Sequence, residues 1–282
     1  DLLQVERYSN GSIKRARILF VARDIPAFGY ETFRVVPAAR EAPSADLATS
    51  HPYGGLLRFE LDRGWLENEF YRLEFDLWTG VMTSIFDKVK GWEVLADDRR
   101  IGNTVVKERD YGNFWQYNGP CKGDEFYPVE GLYPLPGQND NGVDFAHAYL
   151  GDGIIRQGNA MVEFAISHPY GSGQVATRVR IYSGLPRIDI QTSLINNDER
   201  VRYRAAFPTS IRAGKITYEI PFGAVERPQG ELPAQNWIDT SDGEHGVTLL
   251  NRGLPGNNVV DGVMMLSLLK CTGLEGGYGE MK

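Results

Sequence analysis

Apolar and polar residues alternate with a period of two along much of the chain. Between Gln174 and Tyr182, Val175, Thr177, Val179 and Ile181 fall on one side and Ala176, Arg178, Arg180 and Tyr182 on the other. Between Arg187 and Ile195, Ile188, Ile190, Thr192 and Leu194 oppose Arg187, Asp189, Gln191 and Ser193. Side chains of a strand point alternately to its two faces, so each run predicts a strand with one buried and one wet face. Ser183-Gly184-Leu185-Pro186 is turn-forming and joins them into an antiparallel hairpin. From Glu69 to Leu77, Tyr71, Leu73, Phe75 and Leu77 share a face. Trp78-Thr79-Gly80 then reverses the chain into Val81 to Phe86, and Asp87 to Gly91 supplies the next turn.

Helical periodicity is weak. The best helical stretch, Val259 to Lys270, reads equally well as a buried strand. An α/β fold needs strands alternating with helical segments of about 10–15 residues, and these are missing. The class is therefore all-β, with large antiparallel sheets packed face to face as a β-sandwich. Small, polar and turn-forming residues from Ala38 to Gly55 read as a linker. Two strands are expected before it, Ala16 to Ala22 and Glu31 to Val36. Two strands do not make a stable sheet alone. They must pair with something upstream or dock on the main domain; residues 38–55 are expected to be a linker and 56–282 a large β-sandwich domain. A long loop dense in Gly, Pro, Asn and Asp is expected from Asn118 to Gly158.

Thirty-two glycines and 15 prolines in 282 residues make the chain turn-rich, against ordinary usage of about 12% for the pair. The net charge is −7, and no basic stripe breaks it, which argues against a nucleic-acid partner. No apolar window approaches the ~18 residues a transmembrane helix needs. The chain has no initiator Met and no signal-like start, and its start reads as cut from something longer. Cys121 and Cys271 are expected to be separate thiols rather than a disulfide, which points to the cytoplasm. Asn10-Gly11-Ser12 is a sequon of the kind chance supplies.

A pyranose presents an apolar face and a rim of hydroxyls, so its site needs an aromatic platform beside polar groups. The densest such stretch is Arg109 to Asn118, where Asp110, Tyr111, Asn113, Trp115 and Tyr117 are the candidate substrate-binding residues. Arg227 and Trp237 are weaker candidates of the same kind. The plainer reading makes Phe114 and Trp115 core or interface residues, and Asn236-Trp237 a turn. Carboxylates at Glu67 and Glu69, and at Glu74 and Asp76, have strand spacing and are expected to be solvated faces, so no catalytic residue is assigned. The four histidines, His51, His147, His168 and His245, have no metal-ligand spacing. Asn139 to Asp144 carries oxygen ligands but lacks the twelve-residue calcium-loop pattern. No metal ligand is assigned.

Four stretches, in order, resemble the C-terminal half of glycoside hydrolase family 38, the α-mannosidases. They are Arg17 to Phe33; Leu66 to Phe75 with Thr79-Gly80 and Ser84 to Lys88; Tyr203 to Pro208 with Tyr218 to Gly223 and Glu226 to Pro228; and Pro233 to Asp239 with Gly246 to Gly253. The resemblance implies a supersandwich similar to that of galactose mutarotase, truncated at its C-terminus and preceded in residues 1–37 by the tail of a small β domain. It also implies that catalysis belongs to an upstream α/β barrel with a zinc site and an Asp nucleophile, neither of which this chain matches. The expected cofactor is thus none here, with zinc in the barrel. The expected partners are mannosides, the barrel itself and further copies in a homo-oligomer. In the family, the segment matching 109–118 lies toward the barrel. Two alternatives stay open: a stand-alone carbohydrate-binding module, and a mutarotase-like epimerase in which His168 would be the acid or base.

Overall fold

A computed structural model describes residues 2–35, 57–98, 100–110, 112 and 143–271. The first elements are β1 (Leu2–Arg7) and β2 (Ile13–Ile18), an antiparallel hairpin. Its turn is Asn10-Gly11. Gly11 has φ 85°, a conformation that glycine adopts without steric cost, and the Asn10 Oδ1 accepts bonds from the Ser12 backbone N–H and hydroxyl. This corrects the expected strands at Ala16 to Ala22 and Glu31 to Val36: the second strand lies at Ile13–Ile18, and residues 19–35 form none. The turn-forming Asn-Gly dipeptide sets the register, and Pro26 to Gly29 turns the chain again through the Gly29 N–H to Pro26 carbonyl bond.

The next strands are β3 (Arg58–Glu60), β4 (Trp65–Glu67), β5 (Tyr71–Phe75), β6 (Met82–Asp87) and β7 (Trp92–Glu93), a five-stranded meander. Then come β8 (Thr104–Arg109), β9 (Val143–Phe145), a 3₁₀ turn at Ala146–Ala148, β10 (Ile154–Gln157), β11 (Met161–Tyr170), β12 (Gly173–Tyr182), β13 (Leu185–Ile195) and β14 (Val201–Pro208). The last are β15 (Lys215–Ile220), β16 (Gly223–Arg227), β17 (Gly230–Pro233), β18 (Trp237–Ser241), β19 (Gly246–Leu250), β20 (Gly256–Val260) and β21 (Val263–Cys271). β10 to β13 form a sheet in sequence order; β16-β15-β18-β19 form another; and β17-β20-β21-β14-β8-β9 form a six-stranded sheet. All pairings are antiparallel. The fold is all-β, as expected.

The stretch Val259 to Lys270 is strand, not helix. Asp261 and Gly262 both have positive φ, 49° and 76°, the combination a two-residue hairpin turn with the strand twist requires. The part of the expected long loop between 143 and 158 instead holds β9, the 3₁₀ turn and β10.

Three apolar layers join the sheets. Leu73, Phe75 and Met82 of the meander meet Val162, Phe164, Val179 and Ile181 of β11 and β12, with Phe75 and Phe164 stacked at 4.1 Å. Val105, Val201, Tyr203 and Cys271 of the six-stranded sheet meet Tyr170 and Val175. Val259 and Met264 meet Ile216, Tyr218 and Ile238. One face of the six-stranded sheet is thus covered by the two four-stranded sheets, which leaves its other face for different chemistry.

Candidate functional site

That other face carries a buried apolar cluster, Val106, Phe145, Ala206, Val263 and Met265, and beside it a patch of charge. The register places Glu108 of β8 opposite Arg202 of β14, and Val106 opposite Arg204, so the two arginines and Glu108 share one side. Arg204 Nη2 lies 3.2 Å from Glu108 Oε2 and 3.3 Å from Glu231 Oε2 on β17. Arg202 pairs with Glu231 and donates to the Ser267 hydroxyl at 2.8 Å. Glu108 and Arg204 are fully buried. Water gives such ions several kcal/mol each that burial removes, so the cluster holds only because each charge meets its opposite. Where β8 ends, the buried Asp110 pairs with Lys270 Nζ at 3.1 Å and accepts the Gly112 N–H at 2.9 Å.

The inward side of the same strands holds a second network. Lys107 Nζ sits between Asp144 (3.3 Å) and Asp198 (3.2 Å). Tyr149 donates to Asp144 at 2.8 Å, Ser172 donates to Asp198 at 2.7 Å, and Tyr203 donates to the Asn196 side chain at 2.9 Å. Burial opposes ionisation of Asp198, but hydrogen bonds from Ser172 and Lys107 and the lysine's charge outweigh it and hold its pKa below the ordinary value. Burial, reinforced by the bond to Asp144, pushes Tyr149 up to about 12. The fully buried Tyr170, which donates to the Val105 and Asp144 carbonyls, is raised well above its ordinary value by burial first.

His168 faces a cavity lined by Thr79, Asn103, Thr104, His147 and Thr177 among others, about 10 Å³ in volume, close to the minimum for one water. Burial lowers the His168 pKa, so the ring is neutral at pH 7. His147 Nδ1 lies 2.6 Å from the Thr104 hydroxyl. Asn103 has both side-chain polar atoms buried with no hydrogen-bond partner among the described residues, and they suit one bound water. A sugar ring does not fit this space, and no carboxylate is among the described lining residues, so no acid–base pair for an epimerase is assembled at His168.

Of the sequence-predicted site residues that are described, only Asp110 lies with these charges. Tyr111, Asn113, Trp115 and Tyr117 lie outside the described residues, as do Cys121 and most of Asn139 to Asp144. Arg227 is on β16, donating to the Pro233 carbonyl at 2.8 Å with its guanidinium 5.4 Å from the Tyr218 ring centre. It shares the inner face of that sheet with Ile216. Trp237 starts β18 and lies on the opposite face, because its neighbour Ile238 points inward. The structure therefore places Asp110, Arg227 and Trp237 on different surfaces. Sequence reading missed Glu108, Arg204 and Lys107; their one signal is charge inside runs that are otherwise inward-facing. Among the described residues no three His, Cys, Asp or Glu side chains gather to hold a metal. The described residues offer no donor set for a zinc ion. No described helix is long and apolar enough to cross a membrane.

This arrangement defines a multi-sheet β-sandwich domain whose described residues concentrate polar chemistry on a structural sheet rather than in a deep pocket. The sequence model described as "Glycosyl hydrolases family 38 C-terminal domain" matches residues 66–273, and the chain belongs to that family through this domain. Similar proteins include Alpha-mannosidase 2C1 of Mus musculus, 28% identical over 215 residues, which are 73% of this chain and 19% of that protein. Alpha-mannosidase G of Dictyostelium discoideum is 25% identical over the same shares. The chain thus spans about a fifth of the length of these relatives. Among solved structures, an alpha-mannosidase from Enterococcus faecalis V583 matches with a TM-score of 0.63 at 16% identity, over 80% of this chain and 28% of that one. This last likeness concerns the fold.

Proposed function

We propose that this chain is the non-catalytic C-terminal β-sandwich of an enzyme that hydrolyses α-mannosides. In this reading it packs on a catalytic barrel, shapes one wall of the sugar cleft, and leaves the zinc and the nucleophile to the barrel. The observation that carries the reading is the family match across 66–273. Residues 1–37 would then be the tail of a preceding small β domain, and 38–55 the linker to the sandwich. The fully exposed faces of β2 suit a hairpin that takes further partners in a longer polypeptide, since a lone two-stranded ribbon is marginal in water.

Two measurements test this. The 282-residue chain, given zinc and an aryl α-mannoside, is expected to show no turnover above buffer; zinc-dependent turnover would overturn the non-catalytic role. In the full-length polypeptide, deleting residues 57–271 is expected to abolish soluble, active enzyme. An unchanged kcat/KM after that deletion would equally end the proposal.

A further inference from the structure

The sheet β16-β15-β18-β19 has two unlike faces. Ile216, Tyr218 and Ile238 are buried on one. Alternation along the strands gives the other face to Thr217, Glu219, Trp237, Asp239, Thr248 and Leu250. Asp239 is flanked by Thr217 on β15 and Thr248 on β19, and Trp237 is opposite Leu250. Trp237 is half-buried and Leu250 is 69% exposed, so an indole and a leucine side chain make an apolar strip beside a polar one.

Local bonds hold this face in place. The Glu219 carboxylate accepts the Asn236 N–H at 2.7 Å, and the Glu219 carbonyl accepts the Gln235 N–H at 3.2 Å. Together they fix the segment that enters Trp237. Thr248 donates to Asp239 Oδ1 at 2.7 Å, which orients that carboxylate. At the same end of the sheet, the β15–β16 turn holds Phe222 fully exposed at φ 65°. Left-handed backbone is strained for a non-glycine residue, so a large aromatic is kept in water at a position where glycine would be relaxed.

We infer that this face binds a neutral glycan: a pyranose stacks on the Trp237 indole while Asp239, Thr217 and Thr248 take its hydroxyls. A sugar ring offers C–H groups on one side and donors around its rim, and the face offers an aromatic plane with carboxylate and hydroxyl partners next to it. Residues two apart on a strand are about 7 Å apart, a span that lets one ring touch Trp237 and Asp239 together. Glu219, Asp239 and Glu226 disfavour an anionic ligand, and Lys215 is paired with Glu226 at 3.2 Å. The choice of an α-mannoside chain as the glycan rests on the reading under Proposed function; the platform itself does not.

The test is an amide and indole NMR titration of the 282-residue chain with α-mannobiose and α-mannotriose. Saturable shifts are expected at the Trp237 indole and at Asp239 and Thr248. Trp237→Ala should weaken binding at least tenfold, Trp237→Phe should retain most of it, and Trp78→Ala, at an exposed tryptophan in the turn between β5 and β6, should change nothing. No shift at tens of millimolar sugar would overturn the inference, as would binding that Trp237→Ala leaves intact. Shifts at this face that depend on protein concentration and not on sugar would assign it to a second copy and overturn it too. Saturable binding of β-linked gluco-oligosaccharides but not α-mannosides would uphold the platform and reject the mannoside reading.

Discussion

The layer between the meander and β11–β12 and the charged face of the six-stranded sheet are both buried, yet they are built from opposite materials. The first is Leu73, Phe75, Met82, Val162 and Phe164 with no ion among them. The second alternates Glu108, Arg204, Glu231 and Arg202. Apolar contacts are non-directional and scale with area, so the first layer stabilises without selecting one arrangement. A buried ion pair gains little net energy over apolar residues of the same shape, but it is costly to mispair. In this protein the charged face therefore selects register: slipping β14 by one residue on β8 would send Arg202 and Arg204 to the side packed with Tyr170 and Val175. The division of labour is energy from one layer and specificity from the other.

The largest effect that can break this comparison is in the apolar layer. Phe164→Ala should cost about 4 kcal/mol, because a fully buried ring is removed from a stack and leaves a cavity. Urea denaturation reads it directly, and a loss below ~1.5 kcal/mol would mean that the layer collapses around the gap.

Next in size, Arg204→Met should cost about 3 kcal/mol by leaving Glu108 buried without its guanidinium. Adding Glu108→Leu to that variant should recover at least half of the loss. No second substitution in the apolar layer can do this for Phe164→Ala, since nothing there is left unpaired. If the double variant is as unstable as the sum of the singles, the charged face contributes energy like the apolar layer and the contrast fails.

The two layers were also unequally legible in the sequence. The β12–β13 hairpin was readable because one face of β13 stays wet, so Ile188, Ile190 and Leu194 stand out against Arg187, Gln191 and Ser193. β21 was ambiguous because Val263 to Leu266 are buried on both faces, and a run with no polar side carries no period. The signal that decides it, Asp261-Gly262, lay in the turn. Asn10-Gly11 was likewise read for chemistry when its force was conformational. Of the candidate site, Asp110 was picked for its aromatic neighbours, but its partner Lys270 comes from the far end of the chain, and only the pairing of β14 with both β8 and β21 sets those two strands on either side of it, within reach of each other.

A smaller effect separates the polar network around Lys107 from both layers. Asp198 has a depressed pKa in the folded chain. A depressed carboxylate contributes stability that is present above its unfolded value near 3.8 and is lost as pH falls through the lower folded value. Stability should therefore decline below about pH 4 more steeply in the parent chain than in Asp198→Asn, compared by urea midpoints at pH 6 and pH 3. Parallel declines would remove Asp198 from the acid response.

The smallest effect is at the alkaline end, and it tests whether the polar network and the sheet interiors open together. Burial first, and the bond to Asp189 second, pushes Tyr182 up to about 12. Burial does the same to Tyr218, with the Arg227 charge opposing it, and Tyr149 and Tyr170 are raised as described. A phenol whose folded pKa is raised contributes stability that is complete below its unfolded value near 10 and is lost as pH climbs through the folded one. In a 295-nm titration of the 14 tyrosines, Tyr149, Tyr182 and Tyr218 should ionise near pH 12 and Tyr170 well above the ordinary phenol range, in step with loss of the far-UV strand signal. Smooth ionisation of all 14 near pH 10 with the strand signal intact would mean that these rings reach water without unfolding, and that the layers around Tyr170 and Tyr218 breathe independently of the charged face.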